Sequence, residues 1–281
     1  MIEGRRSATA ERVAMRRAAH QIYDRPVIFQ DPLALKILSE ESVARLSAEA
    51  GQESPWGRGL RLFVAARSRF AEGELALAVQ SGVRQYVVLG AGLDTFAYRN
   101  PYPGVRVFEV DHPATQAWKR ERLRRAGIAA PDSMRFTPVD FDCDTLAHAL
   151  EAAGFRRGEA AFFSWLGVVP YLTRAGAFAT LEFIASLPRT SGVVFDYAIP
   201  RELMGEAEQQ AFDFLAARVA RAGEPFRLFL HPDELAGELR ALGFAEIEDL
   251  DSAAIHARWL GDEDRQGRPH GRSGRLLCAR V

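Results

Sequence analysis

The sequence predicts a doubly wound, Rossmann-like α/β fold: a mostly parallel seven-stranded sheet with helices on both faces and a helical segment ahead of the first strand. Three observations predict it. Short β-branched and aromatic runs alternate with helical patterns at the spacing that parallel crossovers need. The first such run ends abruptly in Gly90-Ala91-Gly92, and the next two end in Asp111 and Asp140.

Taken in order, residues 8–22 set Ala, Val and Met at helical intervals between Arg and Glu, which predicts an amphipathic helix suited to a lid. Asp31-Pro32 reads as an N-cap followed by proline at the first helical position, opening a helix over 32–50. Residues 51–59 read as a loop from their Gly, Pro and Ser content, and 60–79 as a third helix carrying Phe63, Ala66, Phe70, Leu75 and Val79. The first strand, 86–89, is a continuous apolar run of the kind that parallel sheets bury on both faces. Strands at 105–110, 134–139, 160–165 and 191–197 follow, separated by helices at 114–127, 145–153 and 175–187. Helices at 206–222 and 231–244 come next, and strands 245–250 and 275–281 finish the sheet as its edges. With no internal repeat and no convincing linker, 1–281 reads as one domain, 1–75 forming a helical cap and 76–281 the core.

The composition excludes several classes. The 48% apolar content supplies a packed core, and 36 basic against 37 acidic residues leave no net field to hold a polyanion, so nucleic acid is not expected as a partner. Cys143 and Cys278 form no metal-ligand spacing and no disulfide framework, which points to a reducing, cytoplasmic setting without a metal site. No run approaches the roughly 20 apolar residues that cross a bilayer, and the charged start MIEGRRSATAER lacks the apolar stretch of a signal peptide, so no membrane association is expected.

Chemistry is concentrated at the strand ends. In Gly90-Ala91-Gly92-Leu93-Asp94 the absent side chains let a ligand lie against backbone amides, where a nucleotide binds in this fold; the bland alternative is a tight turn. About twenty residues on, Asp111 can accept both ribose hydroxyls or, with His112-Pro113, cap the next helix. Asp140 can take an adenine amino group and Phe141 pack on the ring, or Asp140 and Asp142 can cap a helix. A dinucleotide fold wants a third glycine where Thr95 stands, and Asp94 would repel a diphosphate. The zwitterionic S-adenosylmethionine tolerates that acid and is the first choice of cofactor; NAD is the second. Gly90, Ala91, Gly92, Asp94, Asp111, His112, Asp140 and Phe141 are the candidate cofactor residues.

At this point the chain resembles the leucine carboxyl methyltransferase-like proteins, in particular their bacterial branch of S-adenosylmethionine-dependent O-methyltransferases. The resemblance rests on Ser7-Ala8-Thr9-Ala10, Phe29-Gln30-Asp31-Pro32, Ala66-Arg67-Ser68-Arg69-Phe70, Leu89 to Thr95, Phe108 to Pro113, Val139-Asp140-Phe141, Trp165-Leu166-Gly167, Pro170-Tyr171-Leu172 and Phe195-Asp196-Tyr197. Each segment is weak alone, and together they are specific. The resemblance implies a class I methyltransferase with an N-terminal helical lid. It implies that Arg67 pairs with the methionine carboxylate, Gly90 borders the methionine moiety, Asp111 holds the ribose, and Asp140 with Phe141 the adenine. Leu166 departs from the family, many of whose members carry Glu there, which puts the usual substrate in doubt. Tyr171 is a candidate for the acceptor site or a packed aromatic.

A carboxylate acceptor, on a small metabolite or a peptide terminus, is already ionised at neutral pH and needs no strong base, so alignment and exclusion of water would carry an in-line methyl transfer. That agrees with six histidines forming no recognisable triad or metal motif. A hydroxyl acceptor would want a base, and His112 is the motif-embedded candidate. A nicotinamide-dependent oxidoreductase and a catalytically silent scaffold retaining the fold are the two other readings.

Overall fold

The structure is a computed structural model and describes residues 8–48, 55–140, 145–261 and 274–281. Three helices precede the sheet: α1 (Ala8–Tyr23), α2 (Glu40–Ala48) and α3 (Pro55–Gln80). Then come β1 (Gln85–Leu89), β2 (Arg106–Asp111), α4 (Pro113–Arg125), β3 (Met134–Pro138), α5 (Leu146–Ala152), β4 (Ala161–Trp165), α6 (Arg174–Ala185) and β5 (Gly192–Ala198). The chain continues through α7 (Glu206–Arg221), α8 (Pro232–Leu242), β6 (Glu246–Leu250) and α9 (Ser252–Trp259) to β7 (Gly274–Arg280).

The seven strands are ordered β3-β2-β1-β4-β5-β7-β6. The first five are mutually parallel, and β7 runs antiparallel to both β5 and β6. The order reverses between β1 and β4, so the C-terminal ends of those two strands open the crevice in which doubly wound sheets bind ligands. This is the mostly parallel Rossmann-like sheet expected from the strand-helix alternation.

Residue alternation along the strands sorts the core into two layers. Val87, Leu89, Phe108, Phe163, Trp165 and Phe195 face α5, α6 and α8, while Tyr86, Val88, Val107, Phe162 and Val194 face α3 and Ile255 of α9. Phe70 and Leu75 of α3 lie in this second layer, so the last turns of that helix cover the sheet itself. A third cluster joins Ala14, Met15 and Ala18 of α1 to Ile37, Leu46, Leu93 and Leu123.

Three expectations need correction. β7 is not an edge strand: it lies between β5 and β6, because Leu276, Leu277, Cys278 and Ala279 are buried on both faces. The helix expected over 32–50 is replaced by turns up to Ser39, and among the described residues of that stretch only Glu40–Ala48 is helical. The cause is tertiary. Asp31 Oδ1 still accepts the Leu33 N–H at 3.1 Å, but Gln21 brackets the Asp31 N–H and carbonyl, Arg17 and Thr95 hold its Oδ2, and the helix itself begins later, where Ser39 caps α2 by accepting the Ser42 N–H at 3.0 Å. The expected loop at 51–59 is helical from Pro55 onward. In addition, α9 stands where no element was expected, capped by Asp251 accepting the Ala254 N–H at 2.8 Å.

A buried ion cluster joins α1 to α3. Arg61 makes a two-pronged contact with Asp24 at 2.7 Å on each oxygen, and His20 Nδ1 stands 2.9 Å from the same carboxylate. His20 Nε2 accepts the Ile28 N–H, which places the ring proton on Nδ1 as the donor to Asp24. Burial alone would raise the Asp24 carboxyl, yet the hydrogen bonds from Arg61 and His20 hold it down at about 2, below its usual 3.8. A depressed acid stabilises the fold above its unfolded value and loses that contribution as the pH falls. Denaturant titrations are expected to show stability dropping steeply between about pH 4 and pH 2, and the Asp24→Asn variant, though weaker at neutral pH, to show a shallower slope across that window.

Candidate active site

The site is built around the end of β1. Gly90 and Gly92 have φ of +66° and +44°, a backbone conformation that side chains resist, and this turns the chain sharply out of the strand. The turn is stitched to β2: the Ala91 N–H donates to the Val110 carbonyl at 3.0 Å, and the Gly92 N–H to Asp111 Oδ2 at 2.6 Å. The other Asp111 oxygen accepts the His112 N–H at 2.7 Å. Burial pushes the Asp111 carboxyl up, and the two backbone N–H groups oppose that. Each of its oxygens keeps a lone pair, enough for a pair of hydroxyl donors.

Asp94 lies in the same turn, where Oδ1 accepts the Phe96 N–H at 2.8 Å and Oδ2 stands 3.9 Å from Arg17. Arg17 also donates to the Leu93 carbonyl at 2.6 Å and to Asp31 at 3.2 Å, while Thr95 Oγ1 donates to Asp31 at 2.7 Å. Through this network α1 is tied down over the glycine turn. A Cβ on Gly92 would sit 3.1 Å from the Ala10 Cβ. His112 caps α4, its Nδ1 accepting the Ala114 N–H at 3.2 Å with Pro113 at the first helical position. Asp140 follows β3, half-buried, next to Val139, whose N–H donates to the Asp111 carbonyl. Phe141 and Asp142 lie outside the described residues.

The second half of the site joins α3 to the ends of β4 and β5. Arg67 is buried and donates from Nη1 to Asp196 Oδ2 at 3.0 Å; the other Asp196 oxygen accepts the Gly167 N–H. The guanidinium lies on Gly167, where a Cβ would come within 2.8 Å of Nη2 and where φ is +71°. The next residue, Val168, packs beneath Gly90, with its Cγ2 at 2.4 Å from the Cβ that glycine lacks. Tyr171 packs on Phe226 with ring centroids 5.1 Å apart and bonds to Thr9 of α1; burial raises its hydroxyl well above the usual tyrosine range.

A cavity of about 400 Å³ opens beside this half, between α1, α3, α7, α9 and the ends of β4 and β5. Of the residues anticipated from sequence, Arg67 and Tyr171 line it. Gly90, Ala91, Gly92, Asp94, Asp111, His112 and Asp140 do not; Ala10 of α1 packs against Gly92, while Gly90 is exposed. Asp196 and Gly167 stand out in the sequence only as parts of motifs. The signal for Asp196 was available: it is the lone acid in the otherwise apolar, wholly buried run of β5. Leu166 packs against the sheet layer under α3. Among the described residues, no helix is long and apolar enough to cross a membrane, and no group of three or more potential ligands is placed to hold a metal ion.

Comparison with known proteins bears on this site. The family described as leucine carboxyl methyltransferase matches residues 10–185. A protein of Bacillus subtilis (strain 168), YktD, assigned by name to the S-adenosyl-L-methionine-dependent methyltransferases, is 32% identical over 261 residues, covering 84% of this chain and 86% of that protein. A similarly named protein of Mycobacterium avium (strain 104) is 28% identical over 276 residues, covering 90% of this chain and 88% of that one. Among solved structures, a methyltransferase-titled protein of Thermobifida fusca YX superposes with a TM-score of 0.59 at 16% identity, covering 99% of this chain and 96% of that one, a likeness of fold.

Proposed function

The chain belongs to the leucine carboxyl methyltransferase family and is an S-adenosyl-L-methionine-dependent methyltransferase, and on that premise we propose that it methylates a carboxylate oxygen of a small molecule or peptide terminus. The observation that carries the choice of a carboxylate is the charge of the cavity: among the described residues, Arg12, Arg16, Arg58, Arg67 and Arg218 line it against the single acid Asp196. Such a lining concentrates anions and disfavours a neutral alcohol.

The residues present fit the cofactor. Asp111 retains lone pairs for a ribose diol on a carboxylate already oriented by Gly92 and His112. Arg67 offers the further N–H groups of its fork to the methionine carboxylate. Asp140, half-buried just after β3, would take the adenine. Bound there, S-adenosylmethionine supplies a methyl group on a sulfonium, an electrophile that a carboxylate attacks without prior deprotonation. The chain's own part is to orient and to exclude water. Helix α1, held by Arg17 and resting on Gly92, is suited to act as the lid of that site, opening to admit the cofactor. The nicotinamide reading falls away with the family assignment.

Calorimetric titration with S-adenosylhomocysteine tests the pocket: micromolar binding is expected, and Asp111→Ala should cost about 1–3 kcal/mol of it. A folded variant with unchanged affinity would remove Asp111 from the site. The acceptor chemistry is tested by transfer of a labelled methyl group followed by mild base. A methyl ester releases the label as methanol, whereas an ether retains it and would point to a hydroxyl acceptor. Binding without transfer to any acid offered would favour the silent scaffold.

A further inference from the structure

Two helices turn apolar stripes into the cavity. On α3, Leu60 and Phe63 stand seven and four residues ahead of Arg67, so the three side chains share one face of the helix and line the cavity together. On α7, Phe212, Leu215 and Val219 repeat that spacing and line it as well. Apolar stripes of one folded chain normally interdigitate, because protein interiors are close-packed and voids larger than a water molecule are few. Here both stripes border a cavity of about 400 Å³ instead.

The apolar surface begins at the reacting end. Tyr171, four residues after the Gly167 on which the Arg67 guanidinium lies, packs on Phe226 with ring centroids 5.1 Å apart. Phe226 in turn stacks on Phe212 at 5.6 Å with the ring planes 21° apart, and all three rings line the cavity. An aromatic row thus leads from the end of β4 into the stripe of α7. Several polar groups of the lining are engaged within the protein: Asp196 by Arg67 and the Gly167 N–H, the Tyr197 hydroxyl by Asp249 at 2.6 Å, Thr9 by Glu224, and Arg16 by the Gly57 carbonyl at 3.2 Å. A peptide laid along this cavity would bring an N–H and a carbonyl per residue against Leu60, Phe63, Phe212 and Leu215, and each one left without a partner weakens binding. A hydrocarbon body has no such need and gains with every methylene taken out of water.

We propose that the acceptor is an apolar monocarboxylic acid rather than a peptide terminus, its carboxylate at the Arg67–Tyr171 end and its hydrocarbon body along Leu60, Phe63, Phe212 and Leu215. This rests on the methyl-transfer reading above for the identity of the reacting end. The volume sets the size of the acid: at about 30 Å³ for each water-sized group, a cavity of about 400 Å³ takes a body of roughly a dozen carbons.

The probes are the straight-chain carboxylates from butanoate to tetradecanoate, with N-acetyl-tetra-alanine as a peptide acid of comparable length, titrated calorimetrically with and without saturating S-adenosylhomocysteine. Affinity is expected to rise about tenfold for every two carbons and to level off near a dozen, with decanoate about 30-fold tighter than the peptide. Leu215→Trp takes up cavity volume and should move the plateau to shorter acids. Leu215→Ser and Leu60→Ser, each checked for unfolding at the native temperature, should flatten the rise. Affinity independent of chain length, a peptide acid that binds as tightly as decanoate, or a rise and plateau unchanged in all three variants would overturn the proposal. If the length dependence and its response to the variants hold while S-adenosylhomocysteine fails to bind, the methyl-transfer reading fails and the apolar-acid cavity stands. If S-adenosylhomocysteine binds and the acids show no length dependence, the reverse holds.

Discussion

Arg67→Ala is expected to abolish measurable methyl transfer, weaken S-adenosylhomocysteine binding by about 100-fold and lower folding stability by about 3–5 kcal/mol. The stability loss follows from what remains. Asp196, 5% exposed on β5, would keep only the Gly167 N–H as a partner, and a buried carboxylate stripped of its counter-charge is far costlier than the pair was stabilising. Binding and stability can be separated by removing both charges. The double variant Arg67→Met with Asp196→Leu places apolar side chains where the pair was and should recover most of the stability. It should not recover the affinity, since no guanidinium is left for the methionine carboxylate. Chemical denaturation alongside calorimetry checks both halves. A double variant that regains stability and also binds normally would reduce Arg67 to a purely structural partner of Asp196.

The second large effect is expected from Gly90→Ala, with a loss of about 2–4 kcal/mol. Two costs combine. A φ of +66° is unfavourable for any residue with a Cβ, and that Cβ would stand 2.4 Å from Val168 Cγ2, a contact no packed structure keeps. Because Val168 is β-branched on a short turn wedged beneath the glycine, it cannot swing aside cheaply. Trimming it tests the origin of the cost: Gly90→Ala combined with Val168→Ala should be more stable than the two single losses add up to, with only the backbone penalty of about 1–2 kcal/mol persisting. Strict additivity in thermal or chemical unfolding would show that the two loops do not press on each other.

Much of this molecule is legible along the chain because its causes are local. The apolar runs of β1, β4 and β5 declare strands buried on both faces, and Gly90 and Gly92 mark a turn because side chains resist that backbone. Asp111 could be placed at a strand end beside the glycine turn from its distance to that turn, and its hydrogen bond to Gly92 shows the two features built as one. The misreadings share a cause. Asp31-Pro32 has the local form of a helix start and Asp31 does accept the Leu33 N–H, but Arg17, Gln21 and Thr95 also hold Asp31 from elsewhere in the chain, and the segment stays in turns. The place of β7 within the sheet depends on which strand meets which, and a run of apolar residues does not say.

The sequence by itself determined the alternating architecture, the glycine turn and the acidic strand ends, since each depends on residues within a few positions of one another. Only the tertiary structure decided that Arg67 faces Asp196, that Val168 fills the space Gly90 leaves, that α1 packs on Gly92, and that arginines of α1 and α3 line one cavity. The physical reason is that a side chain's partner is chosen by packing. Charges and apolar faces far apart in sequence meet only after the sheet order has formed, and that order is set by the summed burial of the whole chain rather than by any local motif.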